Sequence, residues 1–259
     1  MRLSISNLAW NKCDNDEVYA YLCRKHFDGI EIAPTKLFEE DPYSHIDEAV
    51  AYFSAVSLKY GLSVSSMQSI WYGRQGNIFE SDEDRENLRD YTCAAVDFAS
   101  SIKCGNLVFG NPKARNKPDG CSDSVVYGFF KQISDYADSR GTVISLEPNP
   151  EIYNTNFINK TEEAFSFCRN SGCDHLKVNV DLGTILYNKE TLDSVRDNID
   201  LVNHIHISEP YLKKIEKREI HKCLLDLDFD KYVSIEMGLQ ESLKDVFDVV
   251  DYIAEVFHK

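Results

Sequence analysis

Short apolar or alternating runs recur along the chain, each followed by a stretch with helical spacing. The runs are RLSISNLAW (2–10), GIEIAP (29–34), GLSVSSMQSI (61–70), GNLVFG (105–110), TVISLEP (142–148), LKVNVDLG (176–183), VNHIHISEP (202–210) and YVSIEMG (232–238). Period-2 alternation marks them as strands. Between them the pattern predicts helices over 46–60, 82–100, 123–140, 162–170 and 240–257. Gly61 is placed to end the first of these with a left-handed cap. Ser81 and Asp84 resemble a capping box opening the second, Gly141 ends the third, and Thr161 is expected to cap the fourth. Residues 240–257 carry an apolar stripe at helical spacing. Alternating strand–helix units in this number predict an α/β fold, a (β/α)8 TIM barrel, over a single domain 1–259. An open doubly wound sheet fits less well, because its first turn usually carries G-x-G-x-x-G and none occurs here. Long connections follow strand 3 (WYGRQGNIFES) and strand 4 (NPKARNKPDGCSD), at the barrel end where chemistry sits.

The ends of strands 5 to 8 share one design. They read Ser145-Leu146-Glu147, Asn179-Val180-Asp181, His204-Ile205-His206 and Ser234-Ile235-Glu236. Each is polar, apolar, then a metal-ligand type. Alternation sends the apolar residue toward the helices and the polar pair toward the barrel axis. Glu147, Asp181, His206 and Glu236 should then converge at the mouth, with Ser145, Asn179, His204 and Ser234 one layer deeper. Three converging carboxylates repel one another and lose solvation unless a cation joins them. Three carboxylates and one imidazole suit Mn2+ or Mg2+ best, and Co2+ or Zn2+ also fit.

Composition narrows the reading. Hydrophobic residues make up 43% and aromatics 12%, enough for a sizeable core, and the formal net charge is −15. No basic cluster outweighs that charge, which disfavours nucleic acid and anionic membranes as partners. No apolar run reaches the roughly 18 residues of a membrane span, and the N-terminus lacks a signal-peptide core, so the expectation is a cytoplasmic protein. The eight cysteines form no C-x-x-C and are expected as reduced, mostly buried thiols.

These residues give the chain a resemblance to the xylose isomerase-like TIM-barrel superfamily, which includes sugar-phosphate isomerases, ketose 3-epimerases, hydroxypyruvate isomerase, inosose dehydratase and endonuclease IV relatives. It runs through FDGIEIAP, LEP, VDLGT, HIHISEP and IEM, over essentially the whole chain. By that resemblance Glu147, Asp181, His206 and Glu236 bind one divalent metal, and Glu147 and Glu236 also act as acid and base. Two features depart from it. Thr184 stands where the family commonly has a substrate-contacting His, and an Arg several residues past H-x-H is absent, with Lys213 and Lys214 nearby instead.

The leading expectation is a metal-dependent isomerase or epimerase of a sugar or sugar phosphate, working by proton transfer through a metal-stabilised cis-enediolate. A polyol dehydratase of the inosose type begins with the same proton abstraction. A multinuclear nuclease would need more strand-end histidines and a basic groove, and a barrel that has lost catalysis and serves as a binding protein is a third reading. Lys113 and Arg115 are candidates to hold a phosphate or carboxylate, Glu31 and Gln68 to orient substrate, and Trp71 to form an apolar wall. Asn149 and Tyr153 are candidate donors to substrate hydroxyls, and Lys213 joins the candidate substrate contacts. Apolar helix faces leave a homo-oligomer open.

Overall fold

The computed structural model describes residues 1–258. Eight parallel strands close a barrel in sequence order: β1 (Arg2–Ser6), β2 (Gly29–Ile32), β3 (Ser63–Met67), β4 (Leu107–Phe109), β5 (Ile144–Leu146), β6 (Lys177–Asp181), β7 (Val202–Ser208) and β8 (Tyr232–Glu236). β8 pairs back onto β1, with Ser4 beside Ser234. The barrel and its eight strands are those the alternation predicts. The observed strands are shorter, because ladder bonding stops where the chain turns into each loop. After β1, for example, Ser6 accepts a bond from the Leu8 N–H and opens a helical turn.

The helices are α1 (Asn15–Arg24), α2 (Ile46–Tyr60), α3 (Asp82–Ser101), α4 (Tyr127–Ser139), α5 (Thr161–Asn170), α6 (Leu182–Asn188), α7 (Asp193–Asp197), α8 (Glu219–Cys223) and α9 (Leu243–Phe257). Gly61 ends α2 at φ 72°, and Ser81 caps α3 by accepting from the Asp84 N–H at 3.0 Å. Thr161 is not a cap; it is the first helical residue of α5. The Glu163 carboxylate does that work instead, accepting from the Asn159 and Lys160 N–H groups. The four residues before α4 wind as a tighter 3-10 turn, Asp123–Val126. Helices α1, α6, α7 and α8 were not predicted. Three of them are only five to seven residues long, too short for an apolar stripe to repeat.

Strand residues facing the helices, such as Ile5, Ile30, Val180, Ile205 and Ile235, are fully buried. The inside of the barrel is instead polar. Ser65 donates to Ser4, Ser4 bonds Ser234, and Ser234 meets His204 Nε2 at 2.7 Å. On the other side Ser145 donates to Asn106, whose amide donates to Ser66. Buried polar groups are tolerable only when bonded in this way. All eight cysteines are free, but only Cys104, Cys168 and Cys173 are buried, fewer than expected. No helix among the described residues is long and apolar enough to cross a membrane.

Candidate active site

The mouth of the barrel gathers Glu147 after β5, Asp181 ending β6, His206 in β7 and Glu236 ending β8. One ligand atom from each lies within 4.8 Å of the others. His206 Nδ1 is 3.0 Å from Glu147 Oε1 and 3.2 Å from Glu236 Oε2. Its other nitrogen, Nε2, is 2.8 Å from Glu31 Oε2 at the end of β2. A carboxylate only accepts, so Glu31 holds the ring proton on Nε2. In the neutral ring Nδ1 is then the nitrogen left with a lone pair. His204 lies one layer deeper and meets Ser234, so it is a bonded core residue.

Glu147 and Asp181 are each held by hydrogen-bond donors. Glu147 accepts from Asn179 at Oε1 (2.7 Å) and from Asn149 at Oε2 (3.0 Å). A Cβ on Gly110 would stand 2.8 Å from Glu147 Oε2, so glycine there leaves room for the carboxylate. Asp181 caps α6: its Oδ1 accepts from the Thr184 N–H at 2.6 Å and the Thr184 hydroxyl at 2.8 Å. Ser208 donates to Asp181 Oδ2. In register, Asp181 pairs with His206, whereas Glu236 pairs with Ser208. The four groups therefore come from staggered levels of neighbouring strands.

The electrostatics are unfavourable for the side chains alone. Burial, and then the Glu147 charge, pushes Asp181 up to about 6. Burial likewise pushes Glu236 up to about 7, against the pull of His206. Burial also opposes charge on His206, but Glu236 and Glu31 outweigh it and hold the imidazole well above its ordinary value. Glu31 is buried too, yet His206, His204 and Gln68 hold it near 2. Three carboxylates and an imidazole nitrogen that loses its proton when a cation takes its place form a donor set that fits a divalent ion.

A cavity of about 250 Å3 opens above these groups. Gln68, Trp71, Asn149 and Tyr153, four of the candidate substrate contacts, line it together with Glu147, Asp181 and Glu236. Four other expectations need correction. Arg115 is fully buried beneath the wall, donating to the Glu147 carbonyl at 2.8 Å and to Asn149 Oδ1 at 2.7 Å. It supports Asn149 and, through it, Glu147. Lys113 and Lys213 are exposed and do not line the cavity, because their loops direct these long side chains to solvent. Glu31 lies behind His206 and orients the ring rather than a substrate. Thr184 is buried and braces Asp181, which explains what stands in place of the resemblance's histidine.

Sequence reading missed Ser208 and Gly110, and also Tyr72, Val108 and Leu212 in the wall. Ser208 follows His206 at period 2, which was a usable signal; Val108 lies within β4, and Gly110, Tyr72 and Leu212 lie outside the strands and had none. Glu209, just past β7, is clamped by Arg218 at 2.6 and 2.7 Å. The Tyr153 hydroxyl accepts from the Tyr211 N–H at 2.8 Å, tying the loops after β5 and β7 together.

Comparison with known proteins agrees with this fold. No curated protein sequence matches the chain. The structure resembles 3-keto-D-glucoside 4-epimerase from E. coli, at 21% identity and TM-score 0.74, with all of both chains covered. It resembles D-psicose 3-epimerase from Clostridium cellulolyticum H10, at 16% identity and TM-score 0.72, over 100% of this chain and 97% of that one. It also resembles the IolI protein with a bound zinc atom, at 14% identity and TM-score 0.71, over 99% and 96% of the two chains. The family described as xylose isomerase-like TIM barrel matches residues 21–254, and the chain belongs to that family.

Proposed function

We propose that this protein is a divalent-metal-dependent sugar isomerase or epimerase. The observation that carries the reading is the convergence of Glu147, Asp181, His206 Nδ1 and Glu236 at the floor of a small-molecule cavity. These four would hold the ion, with Mn2+ or Mg2+ the best match to three carboxylates and one imidazole. When bound, the ion supplies Lewis-acid stabilisation of the negative charge that develops on oxygen as a neighbouring C–H loses its proton.

Glu147 and Glu236 are the proton-transfer groups. They come from β5 and β8, with two strands between them, and so approach the floor from different sides. Asn149 and Asn179 fix the orientation of Glu147. One carboxylate removes the proton next to the carbonyl; return from the other, on the opposite face, inverts that carbon. Return by the same carboxylate to the adjoining carbon isomerises the sugar instead. Trp71 and Val108 keep water from the wall of the cavity. Among the described residues that wall carries no Lys or Arg, which suits a sugar and not a phosphodiester backbone.

Metal analysis of the purified protein, with thermal melts on adding Mn2+, tests the site. Incorporation of solvent deuterium into ketoses tests the chemistry. Bound metal together with exchange is expected; a protein that neither retains nor is stabilised by a divalent ion would overturn the reading.

A further inference from the structure

Resting on that reading, we infer that the substrate is an uncharged, unphosphorylated sugar. The inference comes from where the cations near the mouth are spent. The cavity presents the carboxylates of Glu147, Asp181, Glu209 and Glu236, and among the described residues no Lys or Arg lines it. A phosphate is ordinarily held by Arg or Lys, or by a free helix N-terminus.

Six basic residues of the surrounding loops are engaged or turned away. Arg115, the one buried guanidinium, donates to the Glu147 carbonyl and to Asn149. Arg218 grips Glu209. Lys214 pairs with Asp245 at 2.5 Å, and Arg74 stacks on the Tyr91 ring at 3.7 Å. Lys113 and Lys213 are exposed and do not reach the cavity wall.

The helix route is closed as well. TIM barrels commonly seat phosphate between the loops after strands 7 and 8, at a helix N-terminus. Here α9 begins after β8, and Ser242 already caps it by accepting from the Asp245 N–H. The Asp245 carboxylate, in that first turn, accepts from the Ser242 hydroxyl at 2.7 Å. A negative side chain therefore occupies the anion position. α8, after β7, spans only Glu219–Cys223 and starts with an acidic residue.

Charge at the floor points the same way. A divalent ion among three carboxylates leaves about one negative charge facing the ligand, while a phosphate brings about −1.5 to −2 more. Trp71, Tyr72, Val108 and Leu212 give the lining its apolar part. It fits the carbon face of a sugar and gives a charged ester no partner.

The test uses the full-length, Mn2+-loaded protein. Calorimetry measures binding of D-fructose, D-tagatose, D-psicose and D-sorbose, each free and as its 6-phosphate, and NMR follows deuterium exchange on the same panel. At least one free ketose should bind about tenfold or more tighter than its phosphate and should exchange, since the phosphate loses its hydration without gaining a cationic partner. Tyr72→Lys places an ammonium at the rim and should shift the ratio of affinities several-fold toward the phosphate. A phosphate that binds as tightly as the free sugar, or exchanges in its place, overturns the inference and leaves the isomerase or epimerase reading standing. A metal-loaded protein that binds and exchanges nothing in the panel overturns both.

Discussion

At the residue scale, His206 shows how far its neighbours decide its chemistry. Glu31 keeps the proton on Nε2 and so frees Nδ1. Glu31→Gln keeps the shape but can present its amide to the ring, which loses the acceptor that fixes the tautomer. Mn2+ affinity, measured by calorimetry, should fall about 10–100-fold. Glu236→Gln should lower the rate of deuterium exchange about 10²–10⁴-fold by removing a proton acceptor; full exchange by that protein would exclude a proton-transfer role for Glu236. Gly110→Ala forces a Cβ against Glu147 Oε2, 2.8 Å away, so exchange should drop while the far-ultraviolet circular dichroism stays native. The identities of these groups were legible, because each ends a strand motif. The roles of Glu31 and Arg115 were not, because both act on residues that are remote in sequence. Arg115 was read as a surface cation for an anion, yet it is buried beneath the wall it supports.

At the element scale, caps and packing decide which short segments hold. Gly61 sits at φ 72°, where a Cβ is strained, so Gly61→Ala should cost about 1 kcal/mol in urea unfolding. Helix α8 docks on α9 through His221 Nδ1 and the Tyr252 hydroxyl, 2.9 Å apart. Burial holds His221 down to about 4, while Glu209 opposes and Arg218 reinforces that shift. An unfolded histidine takes up its proton near 6.5. Between about 6.5 and 4 the unfolded chain therefore binds the extra proton, and stability falls as pH falls through that window. A His221→Gln protein should show a shallower loss of stability over the same range. The alternation and stop signals made α2, α3 and α9 readable in outline. Helix α6 offers only the Asp181 cap and seven residues, too few for a repeating apolar stripe, and α8 depends on contact with α9, which no local pattern shows.

At the scale of the whole molecule, the proposed metal site links ion and fold. Its four candidate ligands come from strands spread over about ninety residues of sequence, so only the closed barrel assembles them. A divalent ion at 100 times its dissociation constant should stabilise the native state by about 2.7 kcal/mol. For a chain of this size that is a rise of about 5–10 °C in melting temperature, which a chelator should reverse.

By itself the sequence determined the strand count, the barrel and the four strand-end groups. Alternation and ligand-type side chains are local features, and their repetition in consecutive units is readable without coordinates. Only the tertiary structure decided that Glu236 stands level with Ser208 while His206 stands level with Asp181, that Glu31 reaches His206 across the barrel, and that Arg115 is buried. It also left the cavity wall without a cation among the described residues. The stagger of strands in a closed barrel, and the direction each loop gives its side chains, arise from pairing between segments far apart in the chain. No local pattern encodes them.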